Sequence, residues 1–359
     1  MTTPLRLSVL DQSPISQGST AGDALRHSLD LARLADRLGY TRYWLAEHHG
    51  TPMLACAAPE VMIGPVARET TRIRVGSGGI MLPHYSPLKV AETFSMLSAL
   101  APGRIDLGLG RAAGTTPLTT YALQRDRRQR SPDDFPEQLA ELLGQLGYRA
   151  AGDLPFSQLV PLRGNAERPE PWLLGSSPQS GLWAAELGLP YAFADFINPG
   201  GDAIMSRYAA TFVPPSGAPH ATPRGLVAIW VLCADTDAEA QRIAASARMA
   251  FTLFQRGELI PVPPIETALE FLARPLDDAS AFGRQRRTIV GSPATVVPQI
   301  RGVARTYGVD EVMVVTITYD HQARRRSYEL LADAFGLPGA GNGTPADARS
   351  QAGETVTDR

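Results

Sequence analysis

Short apolar runs rich in β-branched residues alternate along the chain with longer stretches in which apolar side chains recur at helical spacing. VAIWVLCA and EVMVVTI are apolar throughout, as expected of parallel strands covered on both faces. Leu31, Leu34 and Leu38 share one helix face, and a second apolar face continues from Ala240 to Phe254. Gly39, Gly188 and Gly308 each stand between a helical pattern and an apolar run, where a left-handed residue closes a helix. Strands are predicted near Leu5 to Leu10, Arg42 to Ala46, Ile73 to Gly79, Ile105 to Gly110, Pro171 to Gly175, Tyr191 to Phe196, Val227 to Ala234 and Glu311 to Ile317. Strands that alternate with helices in this way predict an α/β protein built as a single closed (β/α)8 TIM barrel. A doubly wound open sheet is the second arrangement the same pattern allows.

Two gaps exceed a simple connection: Ala112 to Glu170 after the fourth strand and Gln255 to Ser292 after the seventh. Both are read as insertions. The first carries a helical pattern from Asp133 to Leu146. The second is proline-rich and includes Arg284, Arg286 and Arg287, a composition that suits either a lid over an anionic ligand or a solvated loop. Residues 1–337 form one predicted domain, and 338–359, small and polar, have almost nothing to bury and read as a disordered tail.

Charge narrows the function. The 34 basic and 36 acidic residues nearly cancel, which excludes the strongly basic footprint of a phosphate-backbone binder, so no nucleic-acid partner is expected. No apolar run approaches the roughly 20 residues of a membrane helix, and the first residues lack the apolar core of a secretory signal. The expectation is a soluble, cytoplasmic protein without a membrane partner. Cys56 and Cys233 lie far apart without metal-ligand spacing, so neither a disulfide framework nor a thiolate metal site is expected.

Four segments could carry chemistry. In GSSPQSG an apolar strand ends in hydroxyl residues and runs directly into a helix; unsatisfied N–H groups there, with Ser176, Ser177 and Ser180, would hold a phosphate monoester. The alternative is that Ser177 only caps a helix beginning at Pro178. Gly76, Gly78 and Gly79 end the third strand, where missing side chains let a flat ligand approach the backbone or permit a tight turn. Gly108, Gly110 and Ala113 fit a dinucleotide fingerprint, but no helix follows at once, so the match is read as chance; Arg111 is left as a phosphate or flavin contact, or a rim ion pair. In EHH, His48 follows the second strand on the face where a barrel presents its catalytic loops. It is a candidate general base or hydrogen-bond donor, and no metal spacing accompanies it.

Together EHHGTP, VGSGGIMLPHYSPLKVAE, GRIDLGLGRAAGT and GSSPQSGLWAAELGLPYAFA, in this order, resemble the bacterial luciferase-like, flavin-dependent monooxygenases over roughly Leu5 to Gly336. The resemblance implies a barrel using FMN, in its reduced form as co-substrate, and dioxygen to oxygenate a small organic substrate, with a separate flavin reductase and commonly a homodimer. It puts the flavin phosphate on Ser176, Ser177, Ser180 and Arg111, the ring against the Gly78–Gly79 peptide, often cis in the family, and turnover on His48. Members of the most similar subgroup, which begin LSVLDQSP, include tailors of secondary metabolites. Luciferase itself has a cysteine beside the flavin where this chain has Gly110, so light emission is not expected. A deazaflavin-dependent hydride transferase and a non-catalytic flavin-binding protein are the two alternatives.

Overall fold

A computed structural model describes residues 4–111, 116–124, 133–148, 156, 159–214, 221–274 and 287–339. Eight parallel strands close a barrel: β1 (Arg6–Asp11), β2 (Arg42–Leu45), β3 (Arg74–Met81), β4 (Ile105–Gly110), β5 (Glu170–Gly175), β6 (Tyr191–Ala194), β7 (Gly225–Cys233) and β9 (Glu311–Val315), with β9 pairing back onto β1. The open-sheet alternative is thereby excluded. Gly39, Gly188 and Gly308 all adopt positive φ, at 88°, 64° and 63°, as the sequence pattern requires.

A further strand, β8 (Thr288–Gly291), is a correction to the sequence reading, which left Gln255 to Ser292 without regular structure. That stretch also contains α9 (Ile265–Leu272). β7 is long enough to pair twice: Val227–Trp230 with β9, and Trp230–Cys233 with β8 outside the ring. Arg284 and Arg286 lie outside the described residues. Pro338 and Gly339 pack on the end of α1 (Ala21–Leu38), where the Gly339 N–H donates to the Leu38 carbonyl.

Alternation along each strand sorts side chains into two layers. On β7, Val227, Ile229 and Val231 join the large core between sheet and helices, whereas Leu226, Ala228 and Trp230 face the barrel interior with Leu10, Trp44 and Met313. Both faces are therefore buried, which explains why these strands read as unbroken apolar runs.

The floor of the barrel is ionic. Arg42 begins β2 and reaches Asp106 and Glu311, each at 2.8 Å, all three fully buried. Arg74 pairs with Asp106 at 2.5 Å and with Glu170 at 3.2 Å, and Arg224 closes the layer on Glu170. Burial pushes the Glu170 carboxyl up, but the Arg224, Arg42 and Arg74 charges more than offset this and hold it at about 2. Above this layer the interior is apolar and opens toward the C-terminal ends of the strands.

Candidate active site

The ends of β3, β4, β5 and β6 surround a cavity of about 530 Å³ at the C-terminal face of the barrel. Six of the seven residues singled out from sequence, namely Gly78, Gly79, Arg111, Ser176, Ser177 and Ser180, line it together. The Gly78–Gly79 peptide is cis, and β3 steps out of register with β4 between Gly78 and Ile80. A Cβ on Gly79 would lie 2.8 Å from the Gly108 carbonyl oxygen, and one on Gly78 would lie 2.5 Å from Leu10 Cδ1. A side chain on Gly79 would meet backbone and one on Gly78 would require Leu10 to turn away, and the cavity wall there is bare backbone.

β5 leads through Gly175 into α6 (Pro178–Glu186), whose first turn borders the cavity. Ser177 is the N-cap residue, yet its hydroxyl makes no capping bond to the helix, so capping alone does not account for it. The Ser180 hydroxyl is held by the Ser177 carbonyl at 2.8 Å and by Tyr191 Oη at 2.9 Å. From the end of β4, the Arg111 guanidinium lies over the Trp183 ring of α6 at 5.6 Å and 3.3 Å from the Asp133 carboxylate. The result is a small-residue rim with helix N–H groups, hydroxyls and one guanidinium converging from two elements, a donor set suited to a dianionic phosphate. The remaining wall is apolar, from Leu174, Phe193, Phe196 and their neighbours.

These features fit FMN: a donor cradle for its phosphate, bare backbone for a flat ring, and a cavity within the usual range for a cofactor. The neighbouring aromatics divide in their roles. Phe135 lines the cavity and packs on Trp183, while Tyr121 is exposed and Tyr85 donates its hydroxyl to Glu47.

His48 stands apart from these six. It follows β2, is not among the lining residues, and its backbone N–H is fixed by the Cys56 carbonyl at 2.9 Å. Ring Nδ1 is buried and has no partner among the described residues. Burial, with the nearby His49 ring, pushes its pKa down to about 4, so the imidazole is neutral near pH 7 and able to take up or pass a proton.

Glu47 is the residue sequence reading missed, although it sits inside the quoted EHH motif. Its fully buried carboxylate accepts from His49 Nε2 at 2.8 Å and from the Met81 N–H at 2.9 Å. Met81 lines the cavity, so Glu47 ties the His48 loop to the cavity wall. His84 adds an edge-to-face contact to His49, with ring centres 6.1 Å apart. No feature of an isolated Glu-His-His reveals this; only the pairing of β2 with β3 brings Met81 to it.

Comparison with known proteins agrees with this geometry. The family model described as luciferase-like monooxygenase matches residues 5–311. The N-acetyl-S-alkylcysteine monooxygenase of Bacillus subtilis is 36% identical over 339 residues, covering 92% of this chain and 98% of its own. The crystal structure of apo-MsnO8 superposes with a TM-score of 0.85 at 44% identity, covering 93% of this chain and 99% of that one. A type II Baeyer-Villiger monooxygenase from Pseudomonas putida, solved with FMN, shares the fold at a TM-score of 0.70 and 20% identity, covering 93% and 98%.

Proposed function

The chain belongs to the luciferase-like monooxygenase family, and from that premise we propose that it is a monooxygenase that takes reduced FMN as co-substrate and uses dioxygen to oxygenate a small organic molecule. The observation that carries this reading is the convergence of Gly78, Gly79, Arg111, Ser176, Ser177 and Ser180 on one largely apolar cavity. Reduced FMN, when bound, supplies the electrons that activate dioxygen. The protein's own contribution is positional: the serines and Arg111 hold the phosphate, the Gly78–Gly79 edge admits the ring, and the apolar wall keeps water away from it. His48 is assigned proton transfer to or from the reacting oxygen or substrate, a role supported by its half-buried, neutral imidazole and by the tie that the adjacent Glu47 makes to Met81 of the cavity wall.

A separate reductase supplies the reduced cofactor in this reading. The dinucleotide-like match supplies no nucleotide turn, because Gly108 lies inside β4, where a Cβ would sit 2.1 Å from the Ser77 carbonyl oxygen. A homodimer is proposed on the adjoining helices α2 (Pro59–Glu69) and α3 (Pro87–Leu100), where Val61, Met96 and Leu100 expose apolar surface. Light scattering should report twice the chain mass for the native protein and one chain mass for Leu100→Arg combined with Met96→Glu.

Tailoring of a secondary metabolite fits a cavity of this size and apolarity. The test of the activity is oxygen incorporation. With chemically reduced FMN, labelled dioxygen and a panel of small ketones, thioethers and phenols, the reading expects one labelled oxygen atom in a product and the other in water. Failure of every compound, with all oxygen recovered as peroxide, would favour a flavin-binding protein without turnover.

A further inference from the structure

The cavity wall extends beyond the residues assigned to the phosphate and ring, onto β6, β7 and β9. In an eight-stranded ring β7 stands opposite β3, so this wall faces the Gly78–Gly79 edge across the interior. There Ala194 of β6 and Ala228 of β7 are direct register partners, and Ala228 is in turn the register partner of Met313 on β9. One layer deeper, Ala192 is the partner of Leu226. All five residues line the cavity. Three methyl side chains at these inward positions make the wall recede where other inward positions carry Trp44 or Trp230.

Aromatic rings complete the wall: Phe196 lines the cavity and meets Trp230 edge to face, ring centres 6.0 Å apart, while Trp44, beside Gly78, packs on Trp172 at 5.5 Å. Among the described lining residues Arg111 is the sole charged side chain, and it stands at the end of β4 beside Trp183 and Asp133. An ionised group placed against Ala194 and Ala228 would lose its hydration without gaining a partner from the described wall, which is strongly unfavourable.

We propose that the Ala194–Ala228 hollow receives an uncharged, apolar part of the substrate, aryl or alkyl, and that these two methyl groups set the size it accepts. The proposal rests on the flavin reading, which assigns the Gly78–Gly79 side and Arg111 to the cofactor. It names the kind of group that enters the hollow: a neutral hydrocarbon portion rather than a carboxylate.

Thioanisole and 4-(methylthio)benzoate form a matched pair that differs by one carboxylate. Their binding is measured by calorimetry on FMN-loaded and on flavin-free protein, with Ala228→Phe and the milder Ala194→Leu as variants and circular dichroism as the check on folding. Thioanisole is expected to bind at least about tenfold more tightly than the carboxylate. Either variant should weaken thioanisole by about tenfold while changing FMN affinity less than about twofold. Equal or tighter binding of the carboxylate, or thioanisole affinity unchanged in a folded Ala194→Leu protein, would overturn the proposal. If FMN itself does not bind, the cofactor reading fails, and the flavin-free titrations still decide the hollow.

Discussion

A Cβ atom on Gly175 would lie 2.2 Å from Ser180 Oγ, so the residue that ends β5 must be glycine for Ser180 to occupy its place in the first turn of α6. Strand end, helix start and hydroxyl are one unit, and the proposed phosphate cradle depends on all three. Gly175→Ala should therefore displace Ser180 and weaken FMN binding more than Ser180→Ala does. Ser180 Oγ gives its one proton to the Ser177 carbonyl and must turn it to the phosphate on binding, so Ser180→Ala should cost at most about tenfold in affinity, with about 1 kcal/mol of stability from its lost bonds to Ser177 and Tyr191. Flavin fluorescence titration and urea unfolding measure the two effects separately.

Arg111 can be tested against the phosphate alone. Arg111→Ala should weaken FMN by about tenfold or more while leaving riboflavin, which lacks the phosphate, nearly unchanged. Equal losses for both ligands would place Arg111 against the ring or in a structural role instead.

For His48 the expected separation is between binding and turnover. His48→Ala should bind FMN with native affinity and lose at least about a hundredfold in product formation, the lower end of what positioned proton transfer contributes. Native turnover in this variant would remove His48 from the mechanism.

The same residue makes stability depend on pH. Its pKa falls from an ordinary 6.5 to about 4 in the folded protein, so between those values the unfolded chain binds more protons and stability rises with pH. The contribution, up to about 3 kcal/mol, is complete above pH 6.5 and is lost as pH falls toward 4. Urea midpoints for native and His48→Ala protein should converge across that window as pH falls; parallel curves would show that His48 is not buried in neutral form.

Much of this architecture is legible in the sequence, for identifiable reasons. Strands covered on both faces are apolar throughout, and helices closed by Gly39 or Gly308 announce their ends, so the eight barrel strands stand out. The serine cradle is legible because a strand gives way to small hydroxyl residues and then at once to a helix. β8 is not, because four residues, Thr288–Gly291, following a run of arginines carry too little periodicity. The ionic floor is hidden for another reason: Arg42, Arg74, Glu170 and Glu311 each begin a strand, where a charge in sequence looks like a solvated boundary. Closure of the barrel turns these first residues toward one another.

That floor carries its own prediction. Arg42→Ala leaves Asp106 and Glu311 buried without a principal partner and should destabilise the fold by about 3–5 kcal/mol. Because the floor lies beneath the apolar layer, FMN affinity of whatever protein remains folded should be close to native. Denaturant unfolding followed by tryptophan fluorescence measures the first effect, and flavin titration the second.

The most direct test of the central claim is rapid mixing of the protein, loaded anaerobically with reduced FMN, against aerated buffer while flavin absorbance is recorded. A site that holds reduced FMN in a water-poor cavity predicts that bound flavin reoxidises in a phase distinct from and slower than free reduced FMN, and that the phase changes when substrate is present. Reoxidation indistinguishable from free flavin, with dioxygen recovered entirely as peroxide, would contradict it.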